Sequence, residues 1–184
     1  MMEADLAERL CRIEATLAVT TLIHAGARAN DRKHIAAMRQ CYWPEATIAH
    51  GGYRGPADGF IDYALPIIER CLHAAHHISN VSVEVRGERA LAESYYLAHH
   101  RRKAADGHGE EDAFFEGRYI DLCECRAGVW KILRRRGLSD FSTVVPASGA
   151  YADWPAGAHS LRWPDDDYYR LVGEFRDALA GAGE

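Results

Sequence analysis

Hydrophobic positions near the N-terminus recur with the period of an α-helix. Four of them lie four, three and four positions apart, along one side of a helix: Leu6, Leu10, Ile13 and Leu17. Asn30 and Asp31 interrupt this pattern, and Asp31 is a favourable N-cap for a second, short helix from Arg32 to about Cys41. A third helix is predicted to begin after Pro56.

Alternation of apolar and polar residues predicts strands in the middle of the chain. Val81, Val83 and Val85 alternate with polar residues, which is typical of a half-buried strand. Further strands are predicted at about 90–100, 113–125 and 129–144, and a shorter one ends near His50. Helices followed by long antiparallel strands indicate an α+β fold with the helices on one face of a sheet.

The chain after position 145 has a different character. A turn-rich, aromatic connection is followed by three aspartates, Asp165 to Asp167, which are predicted to cap a last helix reaching about Ala180. We therefore divide the sequence into a domain at 1–145 and an extension at 146–184. The extension is expected to cover a pocket or to contact a neighbouring subunit.

Composition narrows the range of functions. The 184 residues are 48% hydrophobic and carry a net charge of −5, which argues against nucleic acid as a partner because phosphate binding needs a cationic surface. No apolar run approaches the roughly 18–20 residues of a membrane span, and the acidic N-terminus does not resemble a secretory signal. The five cysteines lack a CxxC spacing, so free thiols and a cytoplasmic location are expected.

Ten histidines are the unusual feature of the composition, and they raise the question of a metal site. His73, His76 and His77 form a cluster, and His73 and His77 have a spacing that suits zinc on a helix. A strand is predicted to begin directly after them, however, and no glutamate completes an HExxH motif. The sequence therefore predicts no metal and no cofactor.

Four local motifs occur in a characteristic order. They are Ala29-Asn-Asp-Arg, then Trp43-Pro-Glu-Ala-Thr with His50-Gly-Gly-Tyr-Arg-Gly, then His76-His-Ile-Ser-Asn, and finally Gly117-Arg-Tyr-Ile-Asp with Gly128-Val-Trp-Lys-Ile and Arg135. Together they resemble the SnoaL-like branch of the nuclear transport factor 2-like (NTF2-like) superfamily. This branch includes scytalone dehydratase, bile-acid 7α-dehydratase and hexachlorocyclohexane dehydrochlorinase. The resemblance covers about Leu6 to Thr143 and implies a cone-shaped α+β fold.

The resemblance also implies a catalytic pair. Lyases of this branch hold an aspartate and a histidine deep in the cone, and these correspond to Asp31 and His76 here. A histidine is a usable general base near neutral pH, and a carboxylate on its other ring nitrogen fixes its tautomer. His77 is the alternative, but His76 lies four residues before Asn80, where the family's histidine lies. His77 would instead share the side of Val81, Val83 and Val85, although a bulge would reverse this assignment.

Other residues are expected to line the cone. Arg135 lies where related lyases place a pocket arginine, and it would hold a leaving group or developing negative charge; a solvated position in the run Arg134–Arg136 is the alternative. The remaining candidates for the wall are aromatic, imidazole and guanidinium side chains on the predicted strands: His50, Tyr53, Tyr95, Tyr96, His99 and Arg118. Gly26 departs from the family, because several dehydratases carry a tyrosine five residues before the aspartate.

These features predict a cofactor-independent lyase acting on a small, largely apolar, hydroxylated aromatic or polycyclic molecule, as in the catabolism of aromatic compounds. The reaction would be a dehydration or, given Gly26, a retro-aldol-like loss of a fragment such as formaldehyde. The alternatives are a non-catalytic ligand-binding protein, the β subunit of a ring-hydroxylating dioxygenase, and an isomerase or polyketide cyclase. A homodimer or homotrimer is expected from the superfamily.

Overall fold

The structure is a computed structural model that describes residues 2–155 and 157–181. Its helices are α1 (Met2–Asp31), α2 (Ile35–Gln40), α3 (Ala57–Glu69) and α4 (Asp167–Gly181). Its strands are β1 (Tyr42–His50), β2 (Tyr53–Pro56), β3 (Cys71–Arg86), β4 (Arg89–Lys103), β5 (Glu110–Arg126) and β6 (Val129–Pro146). The described residues contain no helix that is both long and apolar enough to cross a membrane.

The six strands form one curved, unclosed sheet in the order β2-β1-β6-β5-β4-β3. All neighbouring pairs are antiparallel except β1 and β6, which run parallel. Shifts of register between Ser79 and Ser82, and between Glu116 and Gly117, interrupt the long strands. Such bulges bend a strand and increase its twist, which helps the sheet to curve around a site. The α+β fold class is confirmed.

The main core lies between α1 and the concave face of the sheet. Val19 and Ile23 of α1 pack against Ala90 and Ala92 of β4, and Cys123 of β5 and Ile132 of β6 belong to the same cluster. Alanines on β4 let the helix backbone approach the sheet closely, and each large aliphatic side chain buried there contributes about 1.5–3 kcal/mol. A second cluster joins the helices through Ala29, Met38, Ile61 and Ile68.

The predicted apolar stripe of α1 does not face this core. Leu6, Leu10, Ile13 and Leu17 are all more than half exposed, so the stripe lies on a side of α1 that is turned away from the sheet. The side of α1 that packs on the sheet instead carries Val19 and Ile23, with Leu22 partly buried beside them.

Two local predictions also need correction. Asp31 is not an N-cap: it is the last residue of α1, and His34, without a side-chain cap bond, precedes α2. The cluster of His73, His76 and His77 lies wholly on β3, which begins earlier than predicted, at Cys71.

Candidate active site

A cavity of about 270 Å³ lies between the concave face of the sheet and the helices. Its wall is mostly apolar, with a few polar groups on the strand side. The residues that line it are Gly26, Asn30, Met38, Tyr42, His50, Gly51, Gly52, Phe60, Ile61, Tyr63, Ala64, Ile67, Ile68, His76, His100, Tyr119 and Arg135. An apolar cavity with few convergent polar groups is the usual form of a small-molecule site.

Asp31 and His76 meet at this cavity although 45 residues separate them. His76 Nδ1 lies 2.6 Å from Asp31 Oδ1, and the backbone N–H of His76 donates to Asp31 Oδ2 over 3.0 Å. Their side chains are 8% and 12% exposed. With Nδ1–H donating to the carboxylate, Nε2 carries the lone pair of the neutral ring.

A bulge decides which histidine of β3 faces the cavity. Asn80 has a φ of +48°, and the pairing of β3 with β4 shifts between Ser79 and Ser82. Because of this shift, His76 shares the concave side with Val81, Val83 and Val85, whereas His77 is exposed. His76 is therefore the histidine that faces the cavity, as predicted. The expectation that His77 shares the side of Val81, Val83 and Val85 was wrong, because strict alternation does not continue through Asn80.

Arg135 lines the cavity and is held by a buried carboxylate that the sequence did not identify. Its Nε and Nη2 donate to the two oxygens of Asp121 over 2.7 and 2.6 Å, and Asp121 is fully buried. The guanidinium lies over the ring of Tyr119, 4.2 Å from its centroid. Burial opposes the charge of Arg135, but the carboxylate of Asp121 more than offsets this, so the pKa of Arg135 stays above its usual value.

Two more histidines border the same cavity. The ring centroid of His100 lies 5.7 Å from that of His76. Burial, followed by the repulsion that a protonated His100 would meet from a protonated His76, lowers the pKa of His100 to about 4. Burial likewise lowers the pKa of His50, with smaller contributions from Arg135 and His76. Both rings are therefore neutral near pH 7, and the Nδ1 of His50 is buried without a hydrogen-bond partner among the described residues.

Tyrosines supply the remaining hydroxyls of the wall. Arg135 Nη1 donates to the hydroxyl of Tyr42 over 3.3 Å, which leaves the phenolic proton free to donate elsewhere. Burial raises the pKa of Tyr42 to about 12 and that of Tyr119 further still, so both stay protonated. At Gly26, an added Cβ would meet only Cys41 Sγ, at 3.7 Å, and the family's tyrosine is replaced there by open cavity.

Five of the proposed wall residues lie outside the cavity lining: Tyr53, Tyr95, Tyr96, His99 and Arg118. Tyr96 is nearest, since it stacks on Tyr119, but its hydroxyl donates to the backbone oxygen of Leu138. Tyr53 donates to the backbone oxygen of Pro56.

The other three point to the convex side of the sheet. Tyr95 pairs with Arg118, and Arg118 bonds Glu93 there. His99 bonds Asp112 through Nε2 over 2.6 Å. Successive residues of a strand face opposite sides, and Ala98, not His99, is the cross-strand neighbour of His76. The placement of His99 on the wall was therefore wrong, and His100 takes that place.

The sequence reasoning missed His100, Tyr42, Tyr119 and Asp121. The alternation of Ala90, Ala92, Tyr96 and Ala98 on β4 was the available signal for His100, because it places His100 on their side. Leu91, Tyr95 and Leu97 are also apolar, however, and they obscure the alternation.

The histidines do not assemble a metal site in the part of the chain that the structure describes. No group of three His, Cys, Asp or Glu side chains there has the geometry to hold a metal ion. On β3, His76 faces the cavity, whereas His73 packs near His99 and Tyr151 on the convex side.

The sequence of residues 11–136 matches the SnoaL-like domain. The chain belongs to the SnoaL-like family. The family is part of the NTF2-like superfamily, as the motifs indicated. Among the curated proteins, none matches this sequence.

Solved structures show the same fold at low sequence identity. A candidate scytalone dehydratase from Novosphingobium aromaticivorans is 20% identical and superimposes with a TM-score of 0.63, covering 87% of this chain and 100% of its own. A type 2 hexachlorocyclohexane dehydrochlorinase is 20% identical, with a TM-score of 0.67 over 81% of this chain and 99% of its own. The type 3 enzyme from Novosphingobium barchaimii is 20% identical, with a TM-score of 0.65 over 78% and 97%.

Proposed function

We propose that this SnoaL-like protein is a cofactor-independent lyase in which His76 is the general base and Asp31 orients it. The observation that carries the proposal is the 2.6 Å hydrogen bond between Asp31 and His76, the residue of the pair that lines an apolar cavity. A carboxylate that accepts from Nδ1 stabilises the imidazolium formed when Nε2 takes a proton. The cavity of about 270 Å³ suits a molecule of one or two rings.

The elimination begins with proton transfer from a substrate carbon to Nε2 of His76. The electron pair of the broken C–H bond forms a carbon–carbon double bond, and the leaving group departs from the neighbouring carbon with its own electron pair. A departing hydroxyl needs a proton or a strong hydrogen bond. If His76 instead removes a proton from a hydroxyl, the electron pair of the broken O–H bond forms the C=O bond of a released aldehyde. The pair of the broken carbon–carbon bond then passes to an adjacent carbonyl of the substrate as an enolate, as in a retro-aldol reaction.

Neutral donors near His76 are available to the leaving oxygen. His100 and His50 are neutral rings with an N–H, and Tyr42 retains its phenolic proton. Arg135 adds a fixed positive charge behind Tyr42, but Asp121 neutralises most of it. This arrangement favours a neutral substrate, because a carboxylate or phosphate would find no unpaired cation among the described residues that line the cavity.

Related proteins support a lyase. The similar structures include a dehydrochlorinase and a candidate scytalone dehydratase. Both names denote enzymes that catalyse eliminations. The similarity to these structures concerns the fold. We therefore base the proposed reaction on the residues of this cavity.

The test uses 5-nitrobenzisoxazole, a small aromatic carbon acid whose ring opens to a coloured phenolate when a base removes its proton. We expect His76→Ala to lower kcat by about 100-fold or more, the usual contribution of a general base. His99→Ala is the matched control, because His99 has the same 2.6 Å bond to a carboxylate but lies on the convex side. Equal rates for wild type and His76→Ala would contradict the proposal, and binding of the probe without turnover would favour a ligand-binding protein.

A further inference from the structure

The chain after β6 returns to the turn that follows Asp31. The backbone N–H of Trp163 donates to the backbone oxygen of Arg32 over 2.8 Å. The Trp163 ring stacks on His34, with centroids 4.5 Å apart and an interplanar angle of 7°. Asp166 lies 3.4 Å from Nε of Arg32. These contacts fix the residues directly after the carboxylate that orients His76.

The same segment also holds the beginning of β3. Arg162 donates from Nη2 to the backbone oxygen of Cys71, the first residue of the strand that carries His76. Arg162 and Trp163 are adjacent in sequence, so one short stretch of chain bonds both the turn directly after α1 and the first residue of β3. The separation of α1 and β3 sets the distance between Asp31 and His76.

Asp166 gives this segment a defined shape. It is 8% exposed, and its two carboxylate oxygens accept from the backbone N–H groups of Leu161 and Tyr168 over 3.0 and 3.1 Å. The bond to Tyr168 caps α4, and Tyr168 in turn accepts from Arg28 of α1 over 2.7 Å. The segment is thus fastened on both sides of Asp31, to Arg28 of α1 before it and to Arg32 in the turn after it.

We infer that residues 161–168 form a brace that keeps Asp31 within hydrogen-bond distance of His76. Asp31 is the last residue of α1, and the following turn requires a positive φ of 52° at Lys33. Helix ends fray readily, and a displacement of about 1 Å in a catalytic group can cost about 100-fold in rate. No described residue beyond Arg135 lines the cavity, so the brace contains positioning residues and not catalytic ones.

The test weakens the brace at two separate points. Asp166→Asn removes the ion pair with Arg32 and, because an amide has one acceptor oxygen, the bond from Leu161. It keeps the cap of α4, since asparagine caps helices as well as aspartate does. Arg162→Met removes the bond to Cys71 and keeps the aliphatic stem. Trp154→Ala is the control, because Trp154 belongs to the same extension and is 66% exposed.

The direct readout is the proton NMR signal of the hydrogen bond between His76 Nδ1 and Asp31, assigned by its absence in Asp31→Asn. In both brace variants we expect this signal to broaden or move upfield, and kcat for 5-nitrobenzisoxazole to fall by about 10-fold or more with little change in KM. Trp154→Ala should change neither. If one of the two brace variants fails to fold, the NMR signal and kcat of the other variant test the inference.

An unchanged NMR signal and unchanged kcat, in variants that only melt at a lower temperature, would overturn the brace. The kinetic readout rests on the proposed function, whereas the NMR readout does not. If His76→Ala retains full turnover, the proposed function fails, and the NMR signal alone decides whether the brace positions Asp31.

Discussion

His76 donates two hydrogen bonds to the carboxylate of Asp31, one from its ring and one from its own backbone. The ring bond to Oδ1 is 2.6 Å long and the backbone bond to Oδ2 is 3.0 Å. Both oxygens are therefore fixed by one residue, and the plane of the carboxylate cannot rotate without losing a bond. This geometry sets the tautomer and the direction of the imidazole together.

Replacement of Asp31 by asparagine should separate binding from chemistry. Asp31 does not line the cavity, so we expect KM for 5-nitrobenzisoxazole to stay nearly unchanged. The charge that stabilises the imidazolium is lost, so kcat should fall by about 100- to 10,000-fold. Steady-state kinetics measures both constants. A raised KM with an unchanged kcat would contradict an orienting role.

The buried pair of Asp121 and Arg135 should be costly to break. Asp121→Ala leaves the Arg135 charge buried without its partner, and we expect the free energy of unfolding to fall by about 3–5 kcal/mol. Glu93→Ala breaks the exposed bridge to Arg118 on the convex side and should change stability very little. Urea denaturation measures both variants.

A double variant provides the check on that prediction. Asp121→Leu with Arg135→Met removes both charges and should recover part of the lost stability, because no unpaired charge then remains. If the double variant is as unstable as Asp121→Ala, the loss comes from packing and not from the stranded guanidinium.

His100 should make stability depend on pH. Its pKa is about 4 in the folded protein against a usual value of 6.5. Between these values the unfolded chain binds a proton that the folded chain does not, so the free energy of unfolding falls as pH drops from 6.5 to 4. The effect amounts to about 3 kcal/mol. His50 has a lowered pKa and contributes with the same sign.

The variant His100→Asn isolates this contribution, since asparagine does not titrate. The difference in unfolding free energy between pH 7 and pH 4, measured by urea denaturation, should be smaller in the variant by about 3 kcal/mol. Parallel curves for wild type and variant over this range would show that His100 is not held neutral by burial.

Gly137 leaves the space that the ring of His50 occupies. A Cβ at this position would lie 1.9 Å from Nδ1 and 2.6 Å from Cγ of His50. We therefore expect Gly137→Ala to displace the imidazole and to lower the free energy of unfolding by about 1–3 kcal/mol. In a protein that already carries His50→Ala, the change Gly137→Ala should lower the free energy of unfolding much less, because the clash with the imidazole is removed. If the stability losses of Gly137→Ala and His50→Ala simply add in the double variant, the contact between the two residues is contradicted.

The order of elements and the type of fold were predictable from the sequence alone. The helical spacing at the N-terminus and the alternation around Val81 report local periods, and the order of the motifs around Asp31 and His76 identified the family. Which side of each element faces the cavity was not predictable in the same way. The stripe from Leu6 to Leu17 is helical as expected, yet it points to solvent because the alanines of β4 accept the other side of α1.

Most of the site itself depends on the tertiary structure. A β-bulge at Asn80 places His76 on the same side of the sheet as Val81. The register of β3 against β4 places His100, and not His99, on the cavity side near His76. The partner of Arg135 is Asp121 on the neighbouring strand, and the turn after Asp31 is held by residues about 130 positions away along the chain. The sequence determined the elements and the catalytic candidates through local periodicity and motif order. Only the tertiary structure decided which side chains meet. Strand register and long-range contacts determine those pairs, and neither can be inferred from a local sequence pattern.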